Sequence, residues 1–406
     1  MIPTDQSGEP PLRARRRWIA PIIGALTVVL GVALLAVLWD AEVPYRNDFA
    51  AYWPVGRLLS EGANPYDASA IAEIQVEVGD DRGGDSVVRY PPWALPLLIP
   101  MSRVPYARAW HLWIILQLLL VIAATAWMTS MLSDRWKPPA PAAVAILFPP
   151  TLIMVLGGQI GGLLLIAATA FMSCCNERRQ LFAGICLGLL SIKPHLFIPL
   201  GLLALLWSFR ERTLWVPITA MATIGIGSSI AWLLRPEVFR EYVEFVRVSA
   251  PTGYLPLSIG GLLRSLLNPE SFWLQWIPAL LAIPLVLGIW VRASSTWDWI
   301  LAGPAVLAFG VATAPYGLVH DLVLLIPVLL ISAGFARSLS GSRDLRLFFG
   351  MFAAMSVLIW LGQVRTGTSF VQVWVAPVSL LMWWFWRHRG SAVNRHLNRP
   401  GPGAGG

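Results

Sequence analysis

The chain has 406 residues, 56% of them hydrophobic and 13% charged, with a formal net charge of +8. That balance excludes a string of soluble domains and describes one polytopic membrane protein. The positive charge is not a nucleic-acid footprint, because the basic residues stand in short clusters between apolar runs, where they report topology. Cys174, Cys175 and Cys186 lack metal-ligand spacing, which argues against a disulfide framework or zinc site.

In chain order, residues 1–17 read as a disordered cytoplasmic N-terminus ending in Arg13, Arg15, Arg16 and Arg17. These arginines mark the cytoplasmic side of a first span at 18–39, which has no small-residue cleavage site. A first outer loop at 40–108 follows. It opens with NDFAAYWPVGRLLSEGANPYD (47–67), where Phe49, Tyr52, Trp53, Val55, Leu58 and Leu59 fall at helical spacing and Arg57 and Glu61 interrupt them. The pattern predicts a short helix lying in the bilayer interface and stopped by Gly62 and Pro65. After the acidic turn GDDRGGDS (79–86), the prolines of RYPPWALPLLIP (89–100) predict a re-entrant or broken apolar segment.

Further spans are predicted at 109–131, 142–156, 159–175, 181–193, 195–209, 214–234, 272–291, 298–315, 319–336, 345–362 and 370–387. Basic turns at Arg135/Lys137, Arg178/Arg179, Arg210/Arg212, Arg292, Arg337/Arg343/Arg346 and Arg387/Arg389 then all fall on the cytoplasmic side. The short pair flanking Lys193 leaves open one kinked span in place of two. The expected architecture is an all-α bundle of about 12 transmembrane helices, with interfacial helices in the first outer loop and one integral domain over 18–389. A second outer loop at 235–271 carries an amphipathic helix in RPEVFREYVEFVRVS and an interfacial element in YLPLSIGGLLRSLL. Residues 390–406 read as a disordered cytoplasmic tail.

This topology puts the rare polar groups on one face. Asp48 follows the first span, Gln159 sits in LGGQIGG, Lys193 and His195 in SIKPHLF, His320 and Asp321 in APYGLVHD, and Arg365 after the eleventh span. Arg89 and Tyr90 join them from the first loop. A carboxylate held among membrane helices needs a partner or a task. Each residue also has a plainer reading. Asp48 suits a helix N-cap, Lys193 a snorkelling ammonium, and Arg365 an interfacial anchor. His320 suits a cap or a partner for Asp321, and Gln159 an amide that satisfies backbone groups. A secondary transporter or lipid flippase also uses about twelve helices with intramembrane charges. It predicts polar groups near the midplane and no long interfacial loop.

At these residues the chain resembles glycosyltransferase family 87, polyprenyl-phosphate-mannose-dependent mannosyltransferases of the GT-C fold. The resemblance rests, in order, on DFAAYWPVGRLLSEGANPYD, YPPWALPLLIP, GGQIGGLLLIAATA, LGLLSIKPHLFIPLGLLALLW and APYGLVHDLVLLIPVLL, spanning 48–335. It implies Asp48 as catalytic base and functional roles for Lys193 and His320. Asn47-Asp48 stands where the related protein O-mannosyltransferases carry an Asp-Glu pair, which argues against a protein acceptor and a two-carboxylate metal site.

The expected chemistry is transfer of a sugar, mannose by resemblance, from a polyprenyl-phosphate donor to a lipid or glycolipid acceptor on the extracytoplasmic face of the cell membrane. One carboxylate to deprotonate the acceptor and a few cations to hold the leaving phosphate suffice for an inverting displacement. Asp48 takes the first role. Lys193, His320, Arg365 and Arg89 take the second, and Gln159, Tyr52, Trp53, Tyr90 and His195 are candidate substrate contacts. No metal, cofactor or nucleic acid is called for, and a monomer is expected.

Overall fold

The computed structural model describes residues 47–79, 88–134, 136–249, 253–339 and 342–397. The predicted first span, the segment 1–17 and most of the acidic turn lie outside them. The described residues contain helices and no strand.

At the centre stands the segment Val319–Ser338, a 3-10 stretch over Val319–Leu325 running into the helix Ile326–Ser338. Pro327 falls in the first turn of that helix, where its missing N–H has no intrahelical partner to lose. Its residues from Val319 to Ala336 are buried, so the elements packed around it cover every side. His320 and Asp321 therefore enter the molecule at the head of its most enclosed helix.

Among the described residues, five helical segments are long and apolar enough to cross a membrane: Tyr106–Met131, Trp215–Leu234, Phe272–Thr296, Val319–Ser338 and Arg343–Thr366. Several of the other predicted spans are shorter or divided among the described residues. The stretch 142–156 divides at Phe148-Pro149-Pro150 into Pro141–Leu147 and Pro149–Leu156, because proline forces the preceding residue out of helical geometry. Gly161–Asn176, Gln180–Leu190, Ile198–Arg210 and Trp299–Thr313 are short. Eleven residues, as in Gln180–Leu190, rise only about 16 Å, roughly half of a bilayer's hydrocarbon thickness. The last helix, Val375–Leu397, continues past the predicted end at 387 into the stretch read as a disordered tail.

The pair around Lys193 is two helices, not one kinked span. Gln180–Leu190 packs on Trp215–Leu234, whereas Ile198–Arg210 packs on Ile277–Ala293 and Trp299–Thr313. Between them Lys193 takes φ −123° and ψ 68°, outside helical space, as a residue before proline must.

The helix predicted to lie in the interface is Phe49–Ser60, and it is buried on nearly every face. Pro92–Leu98, Ile99–Ser102 and Ala68–Glu77 pack over it, covering ground that its own periodicity would leave to lipid headgroups. Arg57 keeps a polar outlook, pairing with Glu61 at 3.1 Å and Glu77 at 3.0 Å. Gly62 ends the helix as predicted, at φ +73°, where a side chain would be strained, and Ala63 N–H closes back on Leu58 O at 2.8 Å.

Residues 235–271, the predicted second outer loop, hold the predicted amphipathic helix at Val238–Val248, followed by Ile259–Leu267. Arg235 ties the two loops together, donating to Glu241 at 2.6 Å and to Gly62 O at 3.1 Å. Tyr66 packs against Tyr242 and Phe245, with ring centroids 5.3 and 5.4 Å apart.

Candidate active site

Asp48 stands at the N-cap position of Phe49–Ser60 but makes no side-chain cap bond. Its neighbour does the capping: Asn47 Oδ1 accepts from Ala50 N–H at 3.1 Å, and Asn47 Nδ2 donates to Tyr106 at 3.2 Å. The Asp48 carboxylate accepts instead from Gln159 Nε2, while its backbone N–H donates to Gly157 O at 2.9 Å. The plainer capping role therefore passes to Asn47, and Asp48 faces inward.

The LGGQIGG turn is laid directly on this segment. Gly158 has φ +65°, and a Cβ there would come within 2.8 Å of Phe49 Cβ, so both conformation and space demand glycine. Trp113 Nε1 donates to Gly158 O at 2.8 Å and pins the turn. From it Gln159 reaches Tyr52, whose hydroxyl donates to Gln159 Oε1 at 3.0 Å and lies 2.6 Å from the Tyr90 hydroxyl. Burial, with the nearby Tyr90 and Asp48, raises Tyr52 well above the ordinary phenol range, and burial pushes Tyr90 up to about 12. Both rings carry their protons.

Lys193 Nζ donates to Asp321 Oδ1 at 2.7 Å and lies 3.5 Å from His320 Nε2. Asp321 is fully enclosed; its second oxygen accepts from Leu318 N–H at 3.0 Å.

These elements enclose a cavity of ≈ 310 Å³. Asp48, Tyr52, Arg89, Tyr90, Gln159, Lys193, His195 and His320 all line it. Two sequence candidates do not. Trp53 is turned away, its indole N–H donating to Val104 O at 2.9 Å and its ring set edge-on to Tyr106. Arg365 is exposed in the last turn of Ser342–Thr366. The structure adds Tyr242, Tyr316 and Trp93 to the walls. Tyr242 was hidden in an amphipathic helix read only for its surface. Tyr316 lies in APYGLVHD and stands edge-on to His195 at 5.4 Å. Among the described residues no group of three or more His, Cys, Asp or Glu side chains is arranged to hold a metal ion.

Residues 89–327 match the family model of glycosyltransferase family 87, well over half of the chain. The chain belongs to glycosyltransferase family 87. The matched segment carries Arg89, Tyr90, Gln159, Lys193, His195 and His320, while Asp48 and Tyr52 precede it. Membership places the chain among glycosyltransferases and away from the transporter reading. A relative in Mycolicibacterium smegmatis, a polyprenol-phosphate-mannose-dependent alpha-(1-2)-phosphatidylinositol mannoside mannosyltransferase, is 27% identical over 352 residues, covering 79% of this chain and 78% of the relative. No solved structure matches the chain.

Proposed function

We propose that this family 87 member transfers mannose from a polyprenyl-phosphate donor to a lipid or glycolipid acceptor at the extracytoplasmic face of the cell membrane, by single displacement with inversion. The observation that carries the reading is the shared cavity, which Asp48, Lys193 and His320 line from positions distant in sequence.

Asp48 would be the general base. The acceptor O–H gives its proton to the carboxylate while its oxygen attacks the anomeric carbon opposite the phosphate. The anomeric C–O bond to phosphate breaks, and its electron pair leaves with the polyprenyl phosphate. The leaving group's growing charge needs donors in place beforehand. Lys193, Arg89 and His320 would supply them. An ammonium can only donate, so the imidazole nitrogen facing Lys193 is the acceptor and the ring proton sits on Nδ1. His320 then serves as an N–H donor and not as a cation. Arg365 and Trp53 do not line the cavity and drop out of the proposed set.

His195 lines the cavity beside Tyr316 and is the proposed contact for a sugar hydroxyl. An apolar groove of ≈ 190 Å³, lined by Leu97, Leu189, Ile226 and Ile230, shares Trp93 and Ile192 with the cavity. It is the proposed berth for the polyprenyl chain.

The test is direct. Purified full-length protein incubated with polyprenyl-phosphate-mannose and vesicles containing phosphatidylinositol mannosides should yield a glycolipid with one more mannose and the opposite anomeric configuration to the donor. No new glycolipid from that donor, with another lipid-linked sugar consumed in its place, would overturn the mannose assignment. Retained configuration would overturn the single displacement.

A further inference from the structure

Gln159 has two functional atoms and both are engaged. A carboxylate only accepts, so the amide nitrogen must face Asp48, which leaves Oε1 for the Tyr52 hydroxyl proton. With that proton committed, the short contact between the phenols has one donor, Tyr90. The result is a one-way chain of donors, Tyr90 to Tyr52 to Gln159 to Asp48 Oδ2. All three donors are buried in the cavity wall. Chains aligned in this way strengthen each member. The chain is also anchored at both ends. Tyr66 donates to Tyr90 O at 2.8 Å, and the Gly157-Gly158 turn is bonded to Asp48 N–H and Trp113.

We propose that Gln159 is a positioning residue for Asp48 and not a sugar contact, with Tyr52 and Tyr90 as the side chains that fix its amide. The inference rests on Asp48 being the base. Gln159 holds Oδ2 so that the plane of the carboxylate is set before the acceptor arrives, and a base displaced by about 1 Å can lose on the order of 100-fold in rate.

The experiment compares wild type with Gln159→Leu, Tyr52→Phe and the double variant. Full-length enzyme in lipid nanodiscs is assayed with polyprenyl-phosphate-mannose and phosphatidylinositol mannoside. Gln159→Leu should lower kcat on the order of 100-fold with KM for both substrates within about twofold. Tyr52→Phe should lower kcat less, in the same direction. The double variant should be no slower than Gln159→Leu alone, because both changes break one chain. A raised KM with unchanged kcat would make Gln159 a substrate contact and overturn the proposal. Losses that simply multiply would overturn the chain. Should Gln159→Leu fail to fold, Tyr52→Phe decides alone: wild-type kcat sinks the proposal. The two levels separate cleanly, since Asp48→Asn at full rate would remove the base itself, whereas full-rate Gln159→Leu beside a dead Asp48→Asn removes only the positioning.

Discussion

Lys193 Nζ lies 2.7 Å from Asp321 Oδ1, a buried ion pair formed across 128 residues of sequence. An ammonium alone on this wall would be costly to bury, and Asp321 makes it tenable by standing behind it, outside the cavity lining. The third N–H bond of Lys193 is thereby presented from a fixed point. Removing one member leaves an uncompensated charge. Asp321→Ala should therefore destabilise the protein by about 3–5 kcal/mol, whereas Lys193→Met with Asp321→Leu should recover most of that loss while remaining inactive. Thermal unfolding in detergent beside the transfer assay distinguishes the two; an active double variant would strip Lys193 of its phosphate role.

Asp48→Asn keeps the shape of the side chain and can still meet Gln159 through the amide, so the fold should hold. Without a base, turnover should drop by about 100- to 10,000-fold. Retained donor binding with lost transfer is the expected result, read by donor protection against thermal unfolding and by glycolipid formation.

Gly158→Ala puts a methyl group against Phe49 and asks alanine to adopt φ +65°. The expected cost is on the order of 1–3 kcal/mol. Because the same turn carries Gln159, kcat should fall further than the stability loss explains, which activity measured well below the melting temperature would reveal.

Asp67 caps Ala68–Glu77, accepting from Ser69 N–H at 2.9 Å and Ala70 N–H at 3.2 Å. The Ser69 hydroxyl, then the Ala70 amide, hold its carboxyl below the ordinary range. The folded value is the lower one, so the cap contributes fully above the unfolded carboxylate value and is lost as pH falls through the folded one. Asp67→Ala should cost about 1 kcal/mol near neutrality, with the gap to wild type closing in acid. Amide exchange over residues 68–77 measures it.

Ile230→Trp fills the apolar groove without touching the polar cavity. KM should rise for a full-length polyprenyl donor and stay unchanged for a short isoprenoid analogue. Equal effects on both donors would move the hydrocarbon chain elsewhere.

Much of the cavity was legible before any coordinates, because charges in apolar sequence are rare and a topology assigns each a side. That logic brought Asp48, Arg89, Gln159, Lys193, His195 and His320 together. It misplaced Trp53 and Arg365, since an indole can be satisfied by a backbone carbonyl and an arginine by exposure, and neither leaves a mark in the chain. Asp321 was read only as a neighbour of His320, because its partner is distant in sequence. The Phe49–Ser60 helix was legible in extent but not in depth. Periodicity reports which face is apolar, not that Pro92–Leu98 will arrive to cover the rest.

The break at Lys193-Pro194 leaves seven residues, 191–197, without α-helical geometry between two short apolar helices. Backbone outside an α-helix at membrane depth is tolerated only where protein or a wet recess receives it. The recess is thus as necessary to the fold as the fold is to the recess. Filling it with bulky apolar side chains should fail at insertion and assembly before catalysis is ever tested.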